Sequence, residues 1–168
     1  MIKFLTICLL LLTPAYAGEV LGIKYDQLYL VRLKASHKKV NHKDLLVVDG
    51  KQPKVALEAF KVDEAWSKRI DKIFPEDGDY DHGLADSRMQ LFSLVFYREG
   101  NVVLSISPNL LGSDLYASNR KGYDSLSAKQ MDKFIQTVLF IMSRCDKVNL
   151  PRPKLSEQGS AHQSTTAP

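Results

Sequence analysis

The chain has 168 residues, 23 basic against 19 acidic, a net charge of +4 and two cysteines. That length fits one domain with a single core. A charge this modest, with no recognised nucleic-acid motif, speaks against DNA or RNA as a partner.

The first residues read as an export leader. Lys3 supplies the positive start, Phe4 to Leu12 the apolar run, and Ala15-Tyr16-Ala17 a small-x-small cleavage site. The run is far short of the ~20 residues that span a bilayer, so a membrane anchor is the weaker reading. Cys8 lies inside the run with almost nothing ahead of it, which argues against a lipoprotein. Cleavage after Ala17 removes Lys3 and Cys8. Cys145 is then alone, no intramolecular disulfide can form, and the fold has to stand on packing. No Asn begins an Asn-x-Ser/Thr sequon. With the short leader, this favours a bacterial exported protein, periplasmic or secreted, with no transmembrane segment once cleaved. The expected organisation is a signal peptide at 1–17, a single α+β domain at 18–147 and a disordered tail at 148–168.

Residues 28–33 predict a strand with Tyr29, Val31 and Leu33 on one face. Residues 35–43 form a basic polar loop. Leu45 to Val48 is a short apolar run closed by the turn signal Asp49-Gly50. Residues 53–60 suit a strand paired back on 45–48, or a helix opened by Pro53; the strand is the preferred reading. Asp63 caps a helix that runs to Phe74 and stops at Pro75. Its apolar side carries Val62, Trp66, Ile70, Ile73 and Phe74, with Ser67, Lys68, Asp71 and Lys72 opposite. At this spacing the only tryptophan reads as core.

The stretch 90–108 organises the chain. Two β-rich runs flank Arg98-Glu99-Gly100-Asn101, a hairpin turn. Phe92, Leu94 and Phe96 share a face, as do Val102, Leu104 and Ile106, while Ser93, Ser105 and Ser107 point away. Residues 109–123 read as a long polar loop with interleaved aromatics. The last helix, 128–145, opens on a capping box, Ser127 to Gln130, with Leu126 and Met131 as a hydrophobic staple. Met131, Phe134, Ile135, Val138, Leu139, Met142 and Cys145 form its apolar stripe. Phe140 and Ile141 fall off that stripe. The helix is therefore covered on more than one side, or presents a patch to a partner. Together these elements predict an antiparallel sheet of about four or five strands, packed on one face by helices at 63–74 and 128–145.

Three stretches carry candidate chemistry. Asp77, Asp79, Asp81 and Asp86 alternate in an acidic loop, a spacing that hard cations such as Ca²⁺ favour. Counted from Asp77, however, His82 and Arg88 stand where an EF-hand needs Gly and Glu, so a solvated turn is the plainer reading. Residues 24–72 hold twelve basic and seven acidic side chains, and residues 73–100 hold two and six. Such segregation suits electrostatic steering of a charged partner. In the long loop, Tyr116, Asn119, Arg120 and Tyr123 are types that carry or surround interface energy. Gly-x-Ser-x-Gly, Ser-x-x-Lys, His-Glu-x-x-His and glycine-rich phosphate loops do not occur in the chain. Cys145 belongs to an apolar stripe, which does not suit a nucleophile.

The expectation is therefore a non-enzymatic, exported protein-binding domain of the inhibitor, immunity or accessory kind, without a cofactor. The alternative is a small cell-envelope hydrolase acting on cell-wall polymer or lipid, centred on His82 and Asp81.

Overall fold

Backbone hydrogen bonds join strands and two helices across the residues that the computed structural model describes: 18–34, 42–48, 50–74, 81–82, 90–108, 114–119 and 124–152. In chain order these are β1 (Gly18–Val20), β2 (Ile23–Tyr25), β3 (Gln27–Leu33), β4 (Ala56–Val62), α1 (Glu64–Ile73), β5 (Asp81–His82), β6 (Phe92–Arg98), β7 (Asn101–Pro108), β8 (Asp114–Ala117), β9 (Asp124–Ser125), α2 (Ala128–Arg144) and β10 (Lys147–Val148). The sheet runs β10-β4-β3-β6-β7-β8-β9-β5 with every neighbour antiparallel, and β1–β2 is a separate hairpin. The fold is mixed α+β, as the sequence implies, but among the described residues the sheet has eight strands rather than four or five. β5, β9 and β10 are two residues each, too short for an alternating pattern to register.

The central hairpin forms because β6 and β7 alternate apolar and small polar residues on either side of Glu99-Gly100. Both turn residues have positive φ, 54° and 84°, the conformation whose twist matches two antiparallel strands. Glycine adopts it freely, whereas Glu99 does so at a cost. The Glu99 N–H donates to Asp26 Oδ2 at 2.6 Å, which holds the turn. Leu94, Phe96, Leu104 and Ile106 face the helices. Ser93, Ser105 and Ser107 face the other way, all buried, and Ser107 Oγ donates to Ser93 Oγ at 2.9 Å. Val102 departs from the expected face. Phe96 pairs with Leu104 but Tyr97 with Val102, so Val103 is an extra residue. Such a bulge turns the side chains beyond it over, and Val102 packs with Tyr97 on the serine face.

Both helices lie on one face of the sheet. Asp63 caps α1 by accepting from the Trp66 N–H at 3.0 Å. Ile70, Ile73 and Phe74 are buried beneath it. Ser67 and Asp71, expected in solvent, are buried and half-buried respectively, because the β1–β2 hairpin packs against that side of α1. Val20, Leu21 and Tyr25 of this hairpin join the same core, and the Leu21 N–H donates to the Phe74 carbonyl at 3.4 Å. The capping box on α2 is present in full, and Leu126 and Met131 are both buried. The apolar stripe is rotated from its expected place. Met131, Phe134, Thr137, Val138 and Ile141 are buried, while Ile135, Leu139 and Phe140 are exposed.

The opposite face is covered by irregular chain. Tyr29, Val31, Leu33 and Tyr97 pack with Leu45, the last residue of a 3₁₀ turn at His42–Leu45, with Val47 just after it, and with Leu150. The apolar run 45–48 therefore serves as a cover, and β4 pairs with β3 and β10 instead. Leu150 is buried, and its N–H and carbonyl both bond the Gln52 side chain, at 2.9 and 3.2 Å. The packed chain thus continues through Arg152, past the boundary expected at 147. The remainder of the expected tail, 153–168, and the expected leader, 1–17, lie outside the described residues.

Candidate functional site

The two helices run antiparallel and side by side. At one end the Gln130 side-chain amide donates to the Ile73 carbonyl at 3.2 Å, tying the start of α2 to the end of α1. At the other end Trp66 meets Phe140, ring centroids 4.4 Å apart and tilted by 34°. Between them runs a groove of about 310 Å³, floored by Ile73 and Thr137. Arg69, Lys72 and Lys133 stand along its rim, and no carboxylate lines it among the described residues. The Arg69 guanidinium lies over the Trp66 ring, 4.2 Å from its centroid, and that of Arg144 lies 5.5 Å from the Phe140 centroid. A cation over an aromatic face is held by the ring quadrupole, and the guanidinium N–H groups point outward in their own plane, available to a carboxylate.

Trp66 is thus only half-buried, not the core residue its spacing suggests, and Phe140 is 44 % exposed. The signal that could have found this site was Phe140 itself, an aromatic left off the stripe of its own helix. No local pattern joins it to Trp66; only the helix pairing does.

Of the candidate site residues singled out in the sequence, Tyr116 and Asn119 are described with their side chains. Tyr116 lies in β8 and is 9 % exposed, so its ring is largely withdrawn from solvent. Asn119 is exposed at the turn after β8, beside Ser118 and the β7 bulge, lining a small cleft of about 190 Å³. Arg120 and Tyr123 lie outside the described residues, as do Asp77, Asp79 and Asp86. Asp81 and His82 are described in backbone only, as the edge strand β5 paired with β9. Among the described residues no group of three or more His, Cys, Asp or Glu could hold a metal ion.

The strongest electrostatic perturbation sits elsewhere, where β2 meets α1. Tyr25, fully buried, donates its hydroxyl to Asp71 Oδ1 at 2.7 Å. Burial first, then the Asp71 carboxylate, pushes the tyrosine well above its ordinary range. Burial also pushes Asp71 up, against the Tyr25 hydroxyl and the Glu19 N–H, which both favour its charge. Perturbed pairs of this kind often mark catalysis. Here Gly18 closes the approach: a Cβ at Gly18 would fall 2.2 Å from Asp71 Oδ2 and 2.7 Å from the Tyr25 oxygen. The space a substrate atom would need is taken, and the pair reads as a strut between hairpin and helix. Cys145 is equally quiet. It ends α2 half-buried, and burial pushes its thiol up, the reverse of an activated cysteine.

No family model, curated protein or solved structure matches the chain. Among the described residues, no helix is long and apolar enough to cross a membrane.

Proposed function

We propose that this chain is an exported, periplasmic, non-enzymatic protein-binding domain of the inhibitor, immunity or accessory kind, and that it docks its partner on the α1–α2 face. The observation that carries the reading is the Trp66–Phe140 pair, left partly open and bracketed by Arg69 and Arg144. Trp and Arg dominate binding energy where they sit in a recess that water can be driven from. Export rests on the leader at 1–17.

Affinity capture from the envelope fraction of the native host tests this reading. The expected result is one protein recovered in stoichiometric amount by the wild-type chain and lost with Trp66→Ala. Recovery of nothing stoichiometric, or undiminished recovery with that variant, refutes the α1–α2 docking surface; the first result refutes protein binding as well.

A further inference from the structure

Resting on that reading, we infer that the groove receives an extended, acidic segment of the partner, with an apolar side chain laid against the Trp66–Phe140 pair and a carboxylate about three residues away. The groove has two unlike ends. Trp66 and Phe140 place aromatic surface at one end, flanked by Arg69 and Arg144, while Lys72 and Lys133 make the other cationic without aromatic surface. Along α1, Trp66 and Lys72 are six residues apart, about 9 Å at the helical rise. Along α2, Phe140 and Lys133 are seven apart, about 10 Å. Both helices therefore set the same separation between the aromatic and the lysine end, and an extended chain covers it in about three residues.

Charge complementarity selects an acidic occupant. Three cations rim the groove, and no carboxylate lines it among the described residues. Lys68, by contrast, is already paired with Glu64 at 2.6 Å and stands outside it. Gln136 also lines the groove, and its amide both donates and accepts. That matches a peptide group, which needs both, and offers nothing to a hydrocarbon chain. The floor at Ile73 and Thr137 is buried between the helices. A flat bilayer would rest on the cationic rims without reaching it, whereas a single side chain fits inside.

Trp66 is the only tryptophan, so its fluorescence reports the groove directly. The probe is a capped peptide, Phe-Ser-Ser-Glu-Glu-Gly, free of tryptophan. The expected result is a saturable change in Trp66 emission, weakened about tenfold when both Glu are replaced by Lys, as loss of two exposed ion pairs implies. Replacing the Phe by Ser should weaken it by at least as much. The double variant Lys72→Glu/Lys133→Glu should reverse the preference and favour the Lys peptide. Its melting midpoint, with that of Phe140→Ser as a second variant, verifies that the fold is kept. No saturation, indifference to the sign of the peptide, or a tighter response to dodecanoate or to phosphatidylglycerol vesicles overturns the inference. Using the same double variant as bait separates the two ideas. If it captures the same partner as wild type, the acidic-segment inference falls and the protein-binding reading stands. If wild type captures nothing, both fall.

Discussion

Removing one oxygen from Tyr25 isolates the strut between the N-terminal hairpin and α1. The ring is fully buried and meets Phe96 edge-on, centroids 4.9 Å apart at 73°, so Tyr25→Phe keeps the packing and deletes only the hydroxyl. The lost bond, 2.7 Å to Asp71, is of the charge-assisted class, which contributes about 1.5–3 kcal/mol. Asp71 is only half-buried, so water recovers part of this, and the expected cost is about 1–2 kcal/mol. For a domain of this size that is a fall of roughly 4–8 °C in melting midpoint. Urea denaturation should show a lower midpoint with unchanged slope, since the surface exposed on unfolding is the same. A double-mutant cycle with Asp71→Ala then assigns the loss: the coupling should reach about 1 kcal/mol, above the ~0.3–0.5 kcal/mol by which independent sites depart from additivity. A coupling within that margin, or a Tyr25→Phe protein as stable as wild type, would refute the strut.

Three further outcomes follow from the same contacts. Burial raises the Asp71 carboxyl above its unfolded value of 3.8, so the folded state holds that proton more tightly; its contribution to stability is full below about pH 4, declines as pH rises through the raised value and is flat beyond, and Asp71→Asn should remove this decline from the stability–pH curve. Gly18→Ala places a methyl group against Asp71 Oδ2 and the Tyr25 oxygen, and should destabilise the protein in the wild-type background but much less in Tyr25→Phe/Asp71→Ala, which removes both oxygens. Truncation after Lys147 removes the buried Leu150 and its two bonds to Gln52, and should cost at least the ~1.5–3 kcal/mol of a buried leucine in urea denaturation, whereas truncation after Arg152 should cost much less.

The elements legible in the sequence were those long enough to repeat. The β6–β7 hairpin, the Asp63 cap and the Ser127–Gln130 capping box each announce themselves within a dozen residues. What escaped is set by contacts between distant segments. The Val103 bulge leaves no mark in the apolar pattern, which reads equally well with Val102 on either face. The cover over the serine face comes from Leu45 and Leu150, neither of which belongs to a periodic run. Ser67 and Asp71 look solvated until the β1–β2 hairpin is laid across them. The candidate site shows the same limit: Trp66 and Phe140 are seventy-four positions apart in the chain, while Tyr116, chosen for its type, fell on a strand that buries it.

β1 begins on Gly18, which lies flush against Asp71 and pairs at once with Tyr25. A leader peptidase reads an open, extended chain on both sides of the bond it hydrolyses. If the Ala17–Gly18 bond is the one cut, the finished fold leaves no slack on its downstream side. Processing then has to precede closure of the hairpin, or wait for the hairpin to peel away. A single glycine would thus set the order of events between secretion and folding.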